Sequence, residues 1–351
     1  MAPVIRALRA TDWCNVAVCH TGQHPDLVAP LVSDLGLAPD FALAPEPRDR
    51  SLSGLAAAIL SAVSSVLRTW QPQWVLVQGD TSSAYAAGLA AFYEGMRVGH
   101  VEAGLRTTTR TRPFPEEVHR RMLGHLTDLH FAPTAAAAEA LLAEGVPSAT
   151  IVVTGNTAID SLRWLIEHQA APDTESECPT GLKLLVTMHR RENAAHGFAG
   201  VCEALRALVR AYGPRLQIDL PAHPNPHVQA VLRSSLPDMP TVRVMAPLAY
   251  PAFVQAMRRA TLILTDSGGV QEEAVYLGKP VLVLRDETER VEGVAHGAAV
   301  IVGTHPERIV QETSRLLDDP DARVQMARER LLYGDGHAAD RIVAALHDRL
   351  R

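Results

Sequence analysis

Lysine is nearly absent from this chain. Of 33 lysines and arginines, only Lys183 and Lys279 are lysines. That leaves little room for Schiff-base chemistry or a phosphate-binding P-loop lysine, and no GxxxxGK[ST] pattern occurs. No GxGxxG occurs either, so a nicotinamide-dependent route has no support. No GxSxG elbow or Ser-His-Asp order points to a serine hydrolase. The four cysteines, Cys14, Cys19, Cys178 and Cys202, show no CxxC spacing. They read as buried, reduced thiols rather than disulfides or zinc ligands. No apolar segment is expected to approach membrane-spanning length, because the longest alanine-rich stretches carry Ser, Arg or Glu. Arg6, Arg9 and Asp12 interrupt any signal peptide, so a cytoplasmic protein with no membrane partner is expected. A net charge of −6 argues against a nucleic-acid partner.

What is present is apolar and regular. The 351 residues are 47% hydrophobic but only 5% aromatic, which suits helices packed on buried parallel sheets. The length suggests two domains. Strand candidates are Val16–Cys19, Phe41–Leu43, Trp74–Val77, Val98–Val101, Leu129–Ala132 and Ile151–Val153. Helical patterns separate them, as at Leu52–Thr69 and Ser82–Glu94. The pattern lapses into a polar, proline-containing linker between Trp164 and Thr180. It resumes with Leu182–Thr187, Leu216–Leu220, Val242–Met245, Leu262–Thr265, Val281–Leu284 and Ala299–Val302. The expected architecture is α/β, with two doubly wound Rossmann-like domains and ligands in the cleft between them. Residues 1–168 form the first domain, 181–335 the second, and 336–351 a tail helix that packs back on the first. Met1–Ala10 already reads as a helix with no strand before it. Either the fold differs there or the chain begins inside its first unit.

Residues 261–290 carry the most specific local pattern. An apolar run ends at Asp266, Ser267, Gly268 and Gly269 follow, and a helical pattern then leads to a second apolar run. Two glycines allow close backbone approach, and they open a helix whose free amides favour an anion. Glu272 and Glu273 would repel a phosphate there, so at least one should serve something else, such as a sugar diol. The alternative is an ordinary parallel-sheet turn with acids complementing the helix dipole.

Other acids sit at predicted strand ends. Asp80 closes WVLVQGD, Glu102 closes RVGHVE, and Glu116 and Glu117 open a helix after Pro113-Phe114-Pro115. The C-terminal edge of a parallel sheet is where α/β enzymes place reactive groups, and carboxylates there can move protons on two faces of a bound carbon. Asp80 could instead cap the following helix. Glu116 could pair with Arg120, and Glu117 with Arg121, at i,i+4. Glu102 is the hardest to explain as a structural acid.

In the second half, strand LLVTM runs into His189-Arg190-Arg191-Glu192-Asn193, a diphosphate clamp or a solvated charged loop. Phe253 could stack on a nucleobase or belong to the core with Val254 and Met257. His223 and His227 lie four apart in HPNPH, but the prolines preclude a regular helix, so no metal site is expected.

Together these segments resemble the non-hydrolysing UDP-N-acetylglucosamine 2-epimerase family. The matching pieces are TGQH at 21–24, QGDT at 78–81, HVEAGLRT at 100–107, PFPEE at 113–117, TGNTAID at 154–160, HRREN at 189–193, DSGGVQEEA at 266–274 and RDETER at 285–290, with YGDGHAADRI near the end. The resemblance runs in order over the whole chain. It implies a glycosyltransferase-B-like architecture, a homodimer, and interconversion of UDP-N-acetylglucosamine and UDP-N-acetylmannosamine without metal or other cofactor. By position, Asp80, Glu102 and Glu116 match the family's catalytic acids and His189 its catalytic histidine. Arg120 matches an active-site arginine. Ser267, Gly268, Gly269 and Glu273 match the UDP-binding loop, with Glu273 on the ribose and Phe253 near the uracil. Gln23 and His223 match positions that hold an allosteric UDP-sugar in some members.

The implied chemistry is demanding, because no carbonyl acidifies the sugar C2 proton. Expelling UDP from C1 as that proton leaves makes the step feasible, through a 2-acetamidoglucal. The enzyme must then stabilise a diphosphate leaving group and supply acids on both faces. The sequence departs from the family in four places. The opening strand and its GTRPE-like loop are missing, which points to a misassigned start or an inactive protein. His119 stands for asparagine, Val291 for proline, and Asp26 for an allosteric glutamine. The other functions considered are an epimerase for a modified UDP-sugar, a glycosyltransferase of the same shape, a catalytically impaired UDP-sugar-binding homologue, and a hydrolysing epimerase.

Overall fold

The computed structural model describes residues 1–23, 37–47, 49, 51–168, 181–188, 197–222, 232, 234–236, 239–328 and 330–350. The expected linker is helical as far as His168, and its remainder lies outside the described residues. The chain divides into two compact units, Met1–Ser161 with Gly334–Arg351, and Leu162–Tyr333.

The first unit contains α1 (Ala2–Arg9), β1 (Cys19–His20), β2 (Phe41–Ala42), α2 (Leu52–Trp70), β3 (Trp74–Gln78), α3 (Ser82–Tyr93), β4 (Arg97–Val101), α4 (Glu116–Leu126), β5 (Leu129–Ala132), α5 (Ala135–Ala143), β6 (Ile151–Val153) and the start of α6 (Thr157–His168). Its four-stranded sheet runs β3-β4-β5-β6, all parallel, beside a separate β1-β2 pair. The first strand was expected at Val16–Cys19 but starts later. The Val18 amide donates to the Asp40 carboxylate at 2.7 Å instead of joining a ladder.

Small side chains let the helices on one face pack closely. α3 carries Ala84, Ala86, Ala87, Ala90 and Ala91, and a Cβ at its Gly88 would meet Leu123 of α4 at 2.7 Å. Ile59, Val63 and Leu67 of α2 join the same buried cluster as Ala86, Ala90 and Leu123. α2 also corrects a sequence expectation, since its 19 residues are long and apolar enough to cross a membrane by length and composition alone. A second cluster gathers Val4 and Leu8 of α1 with Phe131 of β5 and Ile342 of the tail helix (Ala338–Asp348). Asp160 accepts hydrogen bonds from the Ala338 and Ala339 amides, at 3.1 and 2.7 Å, and so satisfies that helix's first donors.

The second unit contains β7 (Leu182–Thr187), α7 (Gly197–Tyr212), β8 (Leu216–Pro221), β9 (Val242–Met245), α8 (Tyr250–Arg259), β10 (Leu262–Thr265), α9 (Gly268–Tyr276), β11 (Val281–Val283), α10 (Val291–Ala295), β12 (Ala299–Ile301), α11 (Pro306–Asp318) and α12 (Pro320–Met326); the tail helix is α13. Its parallel sheet has the order β12-β11-β10-β7-β8-β9. The chain winds outward from β7 to β9, returns to lay β10 against the other side of β7, and winds outward again. The order therefore reverses between β7 and β10, where an open α/β sheet forms its ligand crevice. Thr187 and Thr265, the last residues of these two strands, share a 2.6 Å hydroxyl hydrogen bond.

Both lysines are structural. Lys183 pairs with Asp219 at 2.9 Å, and Lys279 donates to the Ala260 carbonyl at 2.9 Å. The three cysteines described are free, as expected. Cys202 is buried, but Cys14 is only half-buried and Cys19 is exposed at the short first strand, which corrects the expectation of buried thiols. Cys178 lies outside the described residues.

Candidate active site

The strand register brings two of the predicted acids together. Gln78 of β3 pairs with Val101 of β4, so Asp80 and Glu102 leave neighbouring strands at the same sheet edge. Glu102 has φ +66°, the left-handed region that costs a non-glycine residue free energy. Gly104 fixes the turn beyond it. Its φ is +89°, and a Cβ there would lie 2.1 Å from the Ala137 carbonyl oxygen of α5. Such strain at a strand end is expected where an acid is aimed for chemistry rather than fold.

Asp80 is not the cap of α3. Thr81 takes that role, its side chain accepting from the Ala84 amide at 3.2 Å. The Asp80 carboxylate instead meets Arg120, with Oδ2 2.6 Å from Nη2 and 2.8 Å from Nε. The expected Glu116–Arg120 pair is therefore not what orients Arg120. This guanidinium is buried between Asp80 and Glu117, with Nη1 3.2 Å from Glu117 Oε2. Glu117 also accepts from the Thr107 amide at 3.0 Å and, as expected at i,i+4, from Arg121 at 2.9 Å. It is a structural anchor for HVEAGLRT and for Arg120. Its neighbour Glu116 keeps a buried Oε2 without a hydrogen-bond partner among the described residues, an acceptor available for chemistry.

Two histidines complete this edge. His100 lies buried in β4 with Nε2 2.8 Å from the Gly79 carbonyl, so that nitrogen carries the proton and donates. Burial pushes its pKa down to about 4, which keeps the ring neutral. The His119 ring stacks on Tyr85 at 5.0 Å, and its Nδ1 lies 2.9 Å from the Asp80 carbonyl. The backbone on either side of Asp80 is thus held from β4 and from α4. Gln23 sits at the first turn of α3, its Oε1 accepting from the Ser83 amide and hydroxyl at 3.0 and 2.6 Å.

The second unit places the Ser-Gly-Gly loop at its order reversal. Ser267 precedes α9 without a side-chain cap, so the first-turn amides lack a side-chain acceptor from it. Gly268 leaves room for the buried Glu289–Arg290 pair, since a Cβ would meet Glu289 Oε1 at 2.9 Å and Arg290 Cζ at 3.0 Å and these side chains would have to shift. Gly269 faces open space. The two acids of this helix divide. Glu272 is ion-paired to Arg290 at 2.6 Å, which fastens the loop to the RDETER segment, whose Arg285 and Glu289 pair at 2.8 Å. Glu273 has no such cation among the described residues. Its Oε1 accepts from the Tyr250 hydroxyl at 2.7 Å, and burial pushes its pKa up to about 7. Phe253 is half-buried, one helical turn beyond Tyr250 on α8. His189 and its arginines, and His223 with His227, lie outside the described residues. Sequence reading paired Glu117 with Arg121 but missed its hold on Arg120 and Thr107, and it missed the roles of His100 and Tyr250. A polar residue inside an apolar strand is the signal that would have marked His100, whereas only tertiary contact reveals the others.

Residues 6–347 match the UDP-N-acetylglucosamine 2-epimerase family. The chain belongs to that family. It is 42% identical over 355 residues to the UDP-N-acetylglucosamine 2-epimerase of Yersinia pestis, covering 99% of this chain and 94% of that relative. The crystal structure of UDP-GlcNAc 2-epimerase from Neisseria meningitidis, bound to UDP-GlcNAc, superposes with a TM-score of 0.93 at 38% identity. It covers 99% of this chain and 96% of the other. Likeness extends to the glycosyltransferase SnogD of Streptomyces nogalater, with a TM-score of 0.60 at 16% identity over 98% of this chain and 94% of that one. That likeness bears on fold alone and agrees with two Rossmann-like domains in a glycosyltransferase-B-like architecture.

Proposed function

We propose that this protein interconverts UDP-N-acetylglucosamine and UDP-N-acetylmannosamine by anti elimination of UDP and its re-addition to 2-acetamidoglucal. The observation that carries the reading is the sheet edge where Asp80 and Glu102 leave paired strands, with Asp80 held by Arg120. One carboxylate removes the C2 proton as the C1–O bond to UDP breaks, and the electron pair becomes the C1–C2 double bond. Re-addition then requires a proton at C2 from the opposite face as a UDP oxygen attacks C1. Two positioned acids meet that need, and Glu116, with its unspent buried oxygen, completes the set.

The leaving diphosphate needs positive potential. The amides opening α9 at Gly268 and Gly269 provide it, with His189 as the histidine of the departing oxygen. Glu273 takes the ribose diol and Phe253 the uracil. Gln23 and His223 belong to a second UDP-sugar site in this reading. The enzyme works as a cytoplasmic homodimer, which light scattering on the purified protein would test.

The test of the reaction runs in both directions. Purified protein is incubated separately with UDP-N-acetylglucosamine and UDP-N-acetylmannosamine, and the anomeric proton signals are followed. Convergence on one equilibrium mixture supports the proposal. Free N-acetylmannosamine would mean hydrolysis, and unchanged nucleotide sugars would overturn the proposal for these substrates.

A further inference from the structure

The contact between α8 and α9 assigns a role to a residue the mechanism above does not use. Tyr250 opens α8, and its hydroxyl donates to Glu273 Oε1 at 2.7 Å. Burial and the neighbouring carboxylate push the phenol well above its ordinary range, so it keeps its proton and remains a donor. A phenol has one hydrogen to give, and here Glu273 receives it. The terminal torsion of a glutamate is otherwise broad and roughly two-fold. This hydrogen bond fixes the carboxylate plane. It uses one of two lone-pair positions on Oε1 and leaves Oε2 without a hydrogen-bond partner among the described residues. Acceptor positions remain on both oxygens, one on Oε1 and two on Oε2, enough for the two donors of a vicinal diol.

We propose that Tyr250 is a positioning residue that sets ribose selectivity, by locking the Glu273 carboxylate in the plane that accepts both hydroxyls of a nucleotide's diol. This rests on the reading of Glu273 as the ribose acceptor. Once ionised, an unlocked carboxylate would still be buried, but it would reach a diol only after losing torsional freedom. The cost would fall on ligands with two hydroxyls and not on those with one.

The test is titration calorimetry with UDP and 2′-deoxy-UDP on the full chain, as wild type, Tyr250→Phe and Glu273→Gln. Wild type should prefer UDP by about tenfold or more, as a site built around a charged hydrogen bond does. Tyr250→Phe should shrink that preference to about two- or threefold by weakening UDP while leaving 2′-deoxy-UDP affinity near wild type, so bound deoxynucleotide also reports an intact fold. In turnover the loss should appear in KM rather than in kcat. A Tyr250→Phe protein that keeps the full preference, or that loses both nucleotides equally, overturns the proposal. If wild type shows no preference and Glu273→Gln binds UDP normally, the reading of Glu273 itself has failed.

Discussion

Arg120 holds Asp80 through two nitrogens on a single oxygen, Nη2 at 2.6 Å and Nε at 2.8 Å from Oδ2. The second carboxylate on the same guanidinium, Glu117, is wholly buried. Removing the cation therefore takes the ion-pair partner from Asp80, which is partly buried, and leaves the fully buried Glu117 held, among the described residues, only by Arg121 and the Thr107 amide. Arg120→Ala should cost about 3 kcal/mol of stability in urea unfolding. Arg120→Lys restores charge but not the fork, so it should recover most of the stability while kcat stays down by about tenfold or more. A lysine variant with wild-type kcat would show that the fork does not orient Asp80.

Glu273 links pH to stability. Its pKa rises from 4.5 in the unfolded chain to about 7 in the fold, because burial disfavours its charge. The folded state thus binds this proton more tightly, and stability is fully present below pH 4.5 and lost as pH rises toward 7. The loss is at most about 3 kcal/mol. Glu273→Gln, which cannot ionise, should melt higher than wild type at pH 8 and show no such gain at pH 4. Equal melting shifts at both pH values would contradict this.

The same ionisation governs the nucleotide. A carboxylate accepts two diol donors and a carboxylic acid does not, so UDP affinity should rise with pH as Glu273 ionises around pH 7. Glu273→Gln should flatten that rise in a titration series.

Two glycines should behave oppositely. Gly104→Ala drives a Cβ into the Ala137 carbonyl at a left-handed φ and should cost at least about 3 kcal/mol, or prevent folding. Gly269→Ala enters open space on a helix and should leave the melting temperature unchanged or slightly raised, while weakening UDP binding where a ligand approaches the backbone. Unchanged UDP affinity in Gly269→Ala would remove that residue from the nucleotide loop.

The strands of the second unit were legible because buried parallel strands are short, continuous apolar runs bounded by turn residues. Leu182–Thr187 and Leu262–Thr265 fall where their patterns end, and the half-exposed edge strand Val242–Met245 also falls where it was expected. Val16–Val18 was misread because a side chain, Asp40, takes the Val18 amide that a ladder would use. The positions of Asp80 and Glu102 were legible from strand ends, but their partners were not. Spacing on one helix paired Arg120 with Glu116, whereas the tertiary position of Asp80 outcompetes that neighbour. Spacing also left Glu272 and Glu273 equivalent. The resemblance singled out Glu273, and the folded positions of Arg290 and Tyr250 supply the physical difference, an ion-paired Glu272 beside a Glu273 bonded to a hydroxyl.

The central claim is that the carboxylates at the β3–β4 edge move the C2 proton. The direct measurement is proton NMR of UDP-N-acetylglucosamine in D₂O with wild type and with Glu102→Gln. Wild type should replace the C2 proton with deuterium as UDP-N-acetylmannosamine appears. Glu102→Gln should slow that exchange by roughly 10²–10⁴-fold while still binding UDP. Exchange at the wild-type rate in Glu102→Gln would contradict the account.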